Sequence, residues 1–219
     1  MEQKEFFTSI IKAVNLLDGN KLRGLIQSGI NSNIDATDLI NYGLTLGLRE
    51  LGERFSREEC FIPELIMGAR LVAEEIDLLK PYITQGKQIA SKGVFIIGTV
   101  AGDIHDLGKN LVKLILSTSG WEVVDLGINV SNETFVQKVS ELKAKWLGMS
   151  SLLTTTMPRQ KEVIELLERK GIRNSVRVMV GGAPVSQYWA DEIGADSYGA
   201  DPIEAVNKAE KILGVNACD

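Results

Sequence analysis

The sequence predicts an α/β protein in two parts, a bundle of four short helices ahead of a five-stranded parallel sheet. Three observations carry this. Apolar residues up to about residue 80 recur only at helical spacing. From Lys92 onward, short apolar runs alternate with amphipathic stretches, the pattern of a parallel sheet with helical crossovers. Between them lies Ile83-Thr84-Gln85-Gly86-Lys87-Gln88, which is polar and aperiodic. The chain has 219 residues, long enough for two modules, and 44% apolar residues support a real core. The expected division is a bundle over 1–85, a linker over 86–91 and an α/β domain over 92–219.

In the bundle, Phe7, Ile11, Val14 and Leu17 form the first helical stripe, broken by Asp18-Gly19-Asn20. Leu22, Leu25 and Ile26 make a second helix, closed by Gly29. Asp35 is placed to cap a third, with the stripe Ile40, Leu44, Leu48, Leu51 and Phe55. Pro63 suits the first turn of a fourth, with Leu65, Ala69, Val72, Ile76 and Leu79, ending before Pro81. Short loops between amphipathic helices give an antiparallel bundle. Gly43, Gly47 and Gly68 cost helix stability, and close helix packing is the first reason for them. Phe55, Phe61 and Ile62 cluster at the turn between helices three and four, where they are expected to cap the bundle core.

In the second part the strands are 93–97, 122–125, 146–149, 177–180 and 196–198. The helices are near 108–119, 132–144, 157–170, 186–193 and 202–213. Five strands of this kind commonly take the doubly wound, flavodoxin- or Rossmann-like order 2-1-3-4-5, with a ligand at the switch point between strands one and three.

Chemistry concentrates at the strand ends. After strand one comes Gly98-Thr99-Val100-Ala101-Gly102-Asp103-Ile104-His105-Asp106-Leu107-Gly108-Lys109-Asn110, and His105 is the only histidine of the chain. After strand three come Ser150, Ser151 and Leu152-Leu153-Thr154-Thr155-Thr156; after strand four, Gly181-Gly182; around strand five, Tyr198 and Gly199. Singly these are ordinary loop residues. Together, at the ends of strands one, three, four and five, they converge on one cleft.

Asp103-x-His105-x-x-Gly108, Ser150-x-Leu152 and Gly181-Gly182, in that order and each after its own strand, resemble the cobalamin-binding module of corrinoid proteins and methionine synthase. The resemblance extends to the bundle, which is then a helical cap over the upper face of the corrin. It implies that His105 coordinates cobalt from below, in place of the cofactor's own base, and that Asp103 hydrogen-bonds the other ring nitrogen. Thr156 falls where methionine synthase has a hydroxyl on this Asp, with Thr155 and Thr154 as alternatives. A relay of this kind takes up a proton as the histidine releases cobalt. Gly102, Ile104 and Asp106 belong to the same cofactor loop, and Gly108 would allow a tight turn into the helix. Ser150, Leu152 and Thr154 would contact the displaced nucleotide tail, Gly181 and Gly182 would leave room for it, and Gly199 or Tyr198 would close the pocket. Phe55 and Ile62 would shield the upper face, and room for the corrin is the second reason for the helical glycines.

The implied function is a carrier of a methyl group on cobalamin, in its methylcobalamin form. It would work between a substrate methyltransferase of the methylamine, methanol or methoxy-compound type and a second methyltransferase acting on tetrahydrofolate or a thiol. A reductive activation protein would be a further partner. The segment Thr84–Ser91 is the candidate hinge for moving the cap.

Composition argues against other classes. Net charge is −5 and pI about 5.1, with no basic stripe for nucleic acid. Arg169, Lys170, Arg173 and Arg177 read as a solvated helix end. Two cysteines, Cys60 and Cys218, make no disulfide framework, and with no signal peptide and no membrane-length apolar run a cytoplasmic protein is expected. A cobalamin-dependent sensor or regulatory domain is the alternative function. It would be expected to carry a DNA-binding segment and a second, upper histidine, whereas this chain opens on the bundle and has His105 alone. A mutase cofactor domain would share the Asp-x-His motif but not the cap turn. A phospho-accepting regulator needs an Asp where Ser150 stands, and Asp103, His105 and Asp106 are too few for a metal hydrolase.

Overall fold

The computed structural model describes residues 3–83 and 91–212. The chain forms two compact units that divide it near residue 90. Most of the expected linker 86–91, the proposed hinge up to Ser91 and Cys218 lie outside the described residues.

The first unit contains four helices: α1 (Gln3–Asn15), α2 (Gly19–Asn31), α3 (36–56) and α4 (Ile62–Leu79). The expected Asp35 cap is present, and Asp18 caps α2 as well. Asp18 accepts the Lys21 N–H at 3.0 Å, and Asp35 accepts the Thr37 N–H at 2.9 Å. Pro63 lies in the first turn of α4. In α1 the buried stripe is Phe6, Ile10, Ala13 and Val14, one position from the expected phase. The reason is that the helix ends at Asn15 and Leu17 turns out of it in a left-handed conformation, φ +56. Gly29 lies inside α2 rather than closing it, because Leu39 packs where its side chain would be. Gly43 and Gly47 of α3 face Ile10 and Val14 at 2.9 Å from an added Cβ, so close helix packing accounts for both. The segment that holds Gly43, Leu39–Thr45, is π-helical, which heptad-like spacing does not reveal.

Two further expectations change. In α4, Glu75 rather than Ile76 is fully buried, and Arg23 of α2 pairs with it at 2.5 Å. At the α3–α4 turn Cys60 fills the core, while Phe61 is 70% and Ile62 42% exposed and Phe55 is half-buried. The bundle core is therefore not capped by Phe61 or Ile62.

The second unit is a five-stranded parallel sheet in the order β2-β1-β3-β4-β5. Its strands are β1 (Val94–Thr99), β2 (Glu122–Asp125), β3 (Trp146–Ser150), β4 (Arg177–Gly181) and β5 (Ser197–Gly199). The helices are α5 (Leu107–Thr118), α6 (Asn132–Leu142), α7 (Pro158–Arg169), α8 (Gln187–Glu192) and α9 (Pro202–Ile212). The expected fold class and strand order hold.

The two faces of the sheet differ. Ile96, Leu147, Val178 and Val180 pack against Phe135 and Val139 of α6, Val163 and Leu167 of α7 and Ala190 of α8. The opposite face carries Phe95, Ile97, Gly148, Ser150, Met179 and Gly181, by the two-residue alternation of strands. There Phe95 stacks on Trp146 at 5.8 Å and meets Trp121 edge-on at 5.6 Å, filling the end remote from the loops. Toward the loops the register aligns Thr99, Ser150, Gly181 and Gly199 in one row across four strands. Ser150, Gly181 and Gly199 of that row border a cleft on this face. No helix among the described residues is long and apolar enough to cross a membrane.

The glycines divide by what surrounds them. Gly182 has φ +125, and a Cβ there would strike the Ser151 carbonyl. Gly182→Ala is expected to destabilise the protein by more than about 2 kcal/mol. Gly24 sits exposed inside α2 with nothing near its missing Cβ, so Gly24→Ala should stabilise by roughly 0.5–1 kcal/mol. Urea unfolding of both variants checks the opposite signs.

Candidate functional site

The β1–α5 loop leaves the sheet at Thr99, whose buried hydroxyl donates to the His105 carbonyl at 2.9 Å. Gly102 turns the chain at φ +82, a conformation that suits glycine. Asp103 then points inward and is completely buried. A carboxylate taken out of water needs donors, and this one has five. Oδ1 accepts the His105 N–H at 3.0 Å and bonds His105 Nδ1 at 2.8 Å. Oδ2 accepts the Leu152 N–H at 2.7 Å, the Leu153 N–H at 3.3 Å and the Thr156 hydroxyl at 2.9 Å. Burial pushes the Asp103 pKa up. The bonds from the His105 amide and ring, from Leu152 and from Thr156 outweigh it and hold the carboxyl well below the usual range.

That charge decides the histidine tautomer. An ionised carboxylate only accepts, so Nδ1 carries the proton and Nε2 carries the lone pair. The His105 side chain is 47% exposed, and Nε2 lies on the side of the ring away from Asp103 Oδ1. The structure thus joins Asp103, His105 and Thr156. Thr154 and Thr155 are exposed, and Thr156 alone of the three hydroxyls reaches Asp103. Ser151, fully buried, stands 2.8 Å from Thr156 Oγ1 and 3.2 Å from the Leu153 carbonyl.

Beside this triad a cleft of about 720 Å³ runs along the open face of the sheet. Gly148, Ser150, Gly181 and Gly199 lie along it, with Val112 of α5 and Ala205 of α9 on its sides. Ile104, His105, Asp106, Gly108, Leu152, Gly182 and Tyr198 also line it; Gly102 and Thr154 do not. Around the loops Ile104, Leu107, Leu152 and Leu153 are exposed. Lys109 is buried in the cleft wall, paired with both oxygens of Asp125 at 2.7 and 2.8 Å.

Several expected roles change with the geometry. Gly108 makes no tight turn: it lies in the first turn of α5, and its missing Cβ faces open space. The turn is made at Gly102. Gly182 lacks a side chain because the Ser151 backbone occupies that space, and a Cβ on Gly181 would meet the Gly199 carbonyl at 3.1 Å. Gly199 in turn packs against Ala205. Asp106 precedes α5 and accepts from Asn110 Nδ2 at 2.9 Å. Thr154 stands outside the cleft. Phe55 and Ile62 belong to the helical unit and are half-buried and exposed there.

Sequence reasoning passed over three contributors. Gly148 interrupts an apolar strand, which is itself a sign of close approach. Ser151 followed Ser150 and read as loop chemistry. Asn129 holds Gly102, and its residue type, which tolerates φ above zero, was the available sign.

The B12 binding domain pattern matches residues 93–207, and a second pattern of the same description matches residues 7–80. The chain is 38% identical to dimethylamine corrinoid protein 1 of Methanosarcina acetivorans, over 97% of this chain and 100% of that one. It is 39% identical to the trimethylamine corrinoid protein of Methanosarcina barkeri, over 97% and 99%. Among solved structures it is similar to the methanol:cobalamin methyltransferase complex MtaBC of Methanosarcina barkeri, with TM-score 0.83 and 28% identity over 99% of this chain and 83% of that one. These matches span both units, and the chain belongs to the corrinoid proteins of the B12 binding domain family.

Proposed function

We propose that the protein holds cobalamin and carries a methyl group on it between two methyltransferases, with His105 as the lower cobalt ligand. The observation that carries this reading is the pairing of His105 with a buried, ionised Asp103, which leaves Nε2 as the ligating nitrogen beside a cleft floored by small residues. The residues fit the group. Imidazole suits cobalt, and a hydrogen-bonded carboxylate behind it raises its basicity. Gly148, Ser150, Gly181 and Gly199 line the cleft in which the nucleotide tail would lie. Among the described residues no three His, Cys, Asp or Glu side chains converge to hold a bare ion, which weighs against a metal hydrolase.

When bound, the corrinoid supplies the metal that accepts and gives up the methyl group. The chain's own residues do the rest. Asp103 fixes the His105 tautomer, Thr156 holds Asp103, and Gly102 lets the loop turn so that His105 lies outside it. Ile104, Leu107 and Leu152 offer an apolar rim that excludes water from beneath a macrocycle. Ser150, Gly181, Gly182, Tyr198 and Gly199 line the tail's path. Phe55 and Ile62, the latter exposed on the α3–α4 turn, would shield the upper face.

The names of the relatives support a methylamine- or methanol-type methyltransferase as donor partner. A second methyltransferase acting on tetrahydrofolate or a thiol, and a protein that reductively reactivates the cofactor, complete the proposed cycle. A cytoplasmic setting is supported by Cys60, which is buried and unpaired.

The reading is tested by loading the protein with hydroxocobalamin, reducing it, and adding a methylamine or methanol methyltransferase with its substrate. Methylation seen by absorbance supports it; a loaded, reduced protein that no such enzyme methylates sinks the carrier role. Desalted wild type should keep its corrinoid, with a visible spectrum that shifts in His105→Ala. Colourless wild type of intact fold would remove cobalamin from the account. Asp103→Asn, which sets a donor against donors, should weaken corrinoid retention by roughly 10–100-fold and destabilise the apoprotein by about 1–3 kcal/mol. Ser150→Leu should abolish corrinoid retention while leaving Tm within about 4 °C, measured by equilibrium dialysis and thermal unfolding.

A further inference from the structure

The Asp103–His105 dyad is held by more than one loop. Leu152, Leu153 and Thr156, all from the β3–α7 loop, grip the Asp103 carboxylate. The backbone of the same dipeptide is held from the other side by a single residue of the β2–α6 loop. Asn129 Oδ1 accepts the Gly102 N–H at 2.7 Å, and the Asn129 N–H donates to the Asp103 carbonyl at 2.9 Å.

Asn129 can do this because its own position is fixed. It adopts φ +51, a left-handed conformation that asparagine tolerates better than most residues. Directly after it, Val130 is buried and bridges to Val100, and its N–H donates to the Thr99 carbonyl at 3.0 Å. Directly before it, the Leu126 N–H donates to Ile97 at 2.8 Å and the Gly127 carbonyl accepts from Thr99 at 3.0 Å. Asp125, which opens the loop, accepts the Gly127 N–H at 2.9 Å and is pinned by Lys109 and Lys113. The loop is thus stitched to β1 on both sides of Asn129, and to α5 at Asp125.

We propose that Asn129 is a positioning residue that sets the reach of His105 Nε2, by clamping the Gly102–Asp103 backbone opposite the β3–α7 grip. This rests on the reading of His105 as the lower cobalt ligand. The Asp103 N–H also donates to the Val100 carbonyl at 3.1 Å, and the Thr99 hydroxyl to the His105 carbonyl at 2.9 Å; Asn129 adds the hold on the Gly102 N–H and the Asp103 carbonyl, and so fixes the height of the loop. A ligand bond to a metal is sensitive to displacements of about 0.5 Å, so a loosened clamp affects ligation before it affects folding.

The test uses the full chain as wild type, Asn129→Gly and Asn129→Asp, each loaded with hydroxocobalamin and reduced to Co(II). Electron paramagnetic resonance then reads nitrogen splitting from an axial imidazole. Glycine keeps the left-handed backbone and the N–H bond but loses the side-chain acceptor; aspartate keeps an acceptor oxygen. Wild type should show the splitting, Asn129→Gly should bind corrinoid but lose the splitting from most of its signal, and Asn129→Asp should restore it. Thermal unfolding of the apoproteins should be nearly the same for all three. Full splitting in Asn129→Gly overturns the clamp and leaves His105 as ligand. Equal loss in the glycine and aspartate variants overturns the role of the acceptor oxygen. Absence of splitting in the wild type overturns the ligand reading itself, and the clamp falls with it.

Discussion

A buried carboxylate governs the second unit. Asp103 is fully out of water and ionised, so five donors must reach its two oxygens. They come from two loops that follow adjacent strands, β1 and β3. Only a sheet with those strands side by side brings both loops to one point, which is the switch point of the order β2-β1-β3-β4-β5. The topology is thereby tied to one side chain. Moving either strand would leave an unpaired charge in the interior, at a cost well beyond that of an ordinary hydrogen bond.

The sheet divides its duties by face. Branched residues and α6, α7 and α8 fill one face at ordinary core density. The other face has an aromatic plug of Phe95, Trp121 and Trp146 at the far end and small residues at the loop end. The plug buries three large rings at that end of the layer. It thus lets the loop end stay open without loss of the layer, and the cleft is a consequence of how side-chain size is distributed along the strands.

Most of this was legible in the sequence, because periodicity reports burial and the strand ends report loops. Five strands follow from the alternation of apolar runs, their order from the common doubly wound arrangement, and the Asp103–His105–Thr156 set from the resemblance to corrinoid proteins and methionine synthase, which left Thr155 and Thr154 open beside Thr156. What stayed hidden has physical causes. The phase of α1 depends on where Leu17 leaves the helix, and a left-handed leucine gives no signal. Glu75 sits in a core position because Arg23, 52 residues away in sequence, neutralises it, and no local pattern carries that. Gly182 read as space for a ligand, yet its missing Cβ answers the Ser151 backbone, a tertiary approach invisible in one dimension. Ser151 and Asn129 were missed because hydroxyl and amide residues in loops have many ordinary uses.

The exposed apolar rim follows from the same carboxylate. The amides of Leu152 and Leu153 point at Asp103, so their side chains are turned outward, 42% and 41% exposed. Asp103 and His105 face each other through both ring and amide, so Ile104 between them is thrown outward as well. Burying one charge therefore displays three large apolar side chains around the one imidazole. Such a patch is a liability for a protein in water unless something apolar covers it. The proposed cofactor, were it held by His105, would cover it and exclude water there. The hydrogen bonds that choose the tautomer thus also shape the surface on which the proposed cofactor would rest.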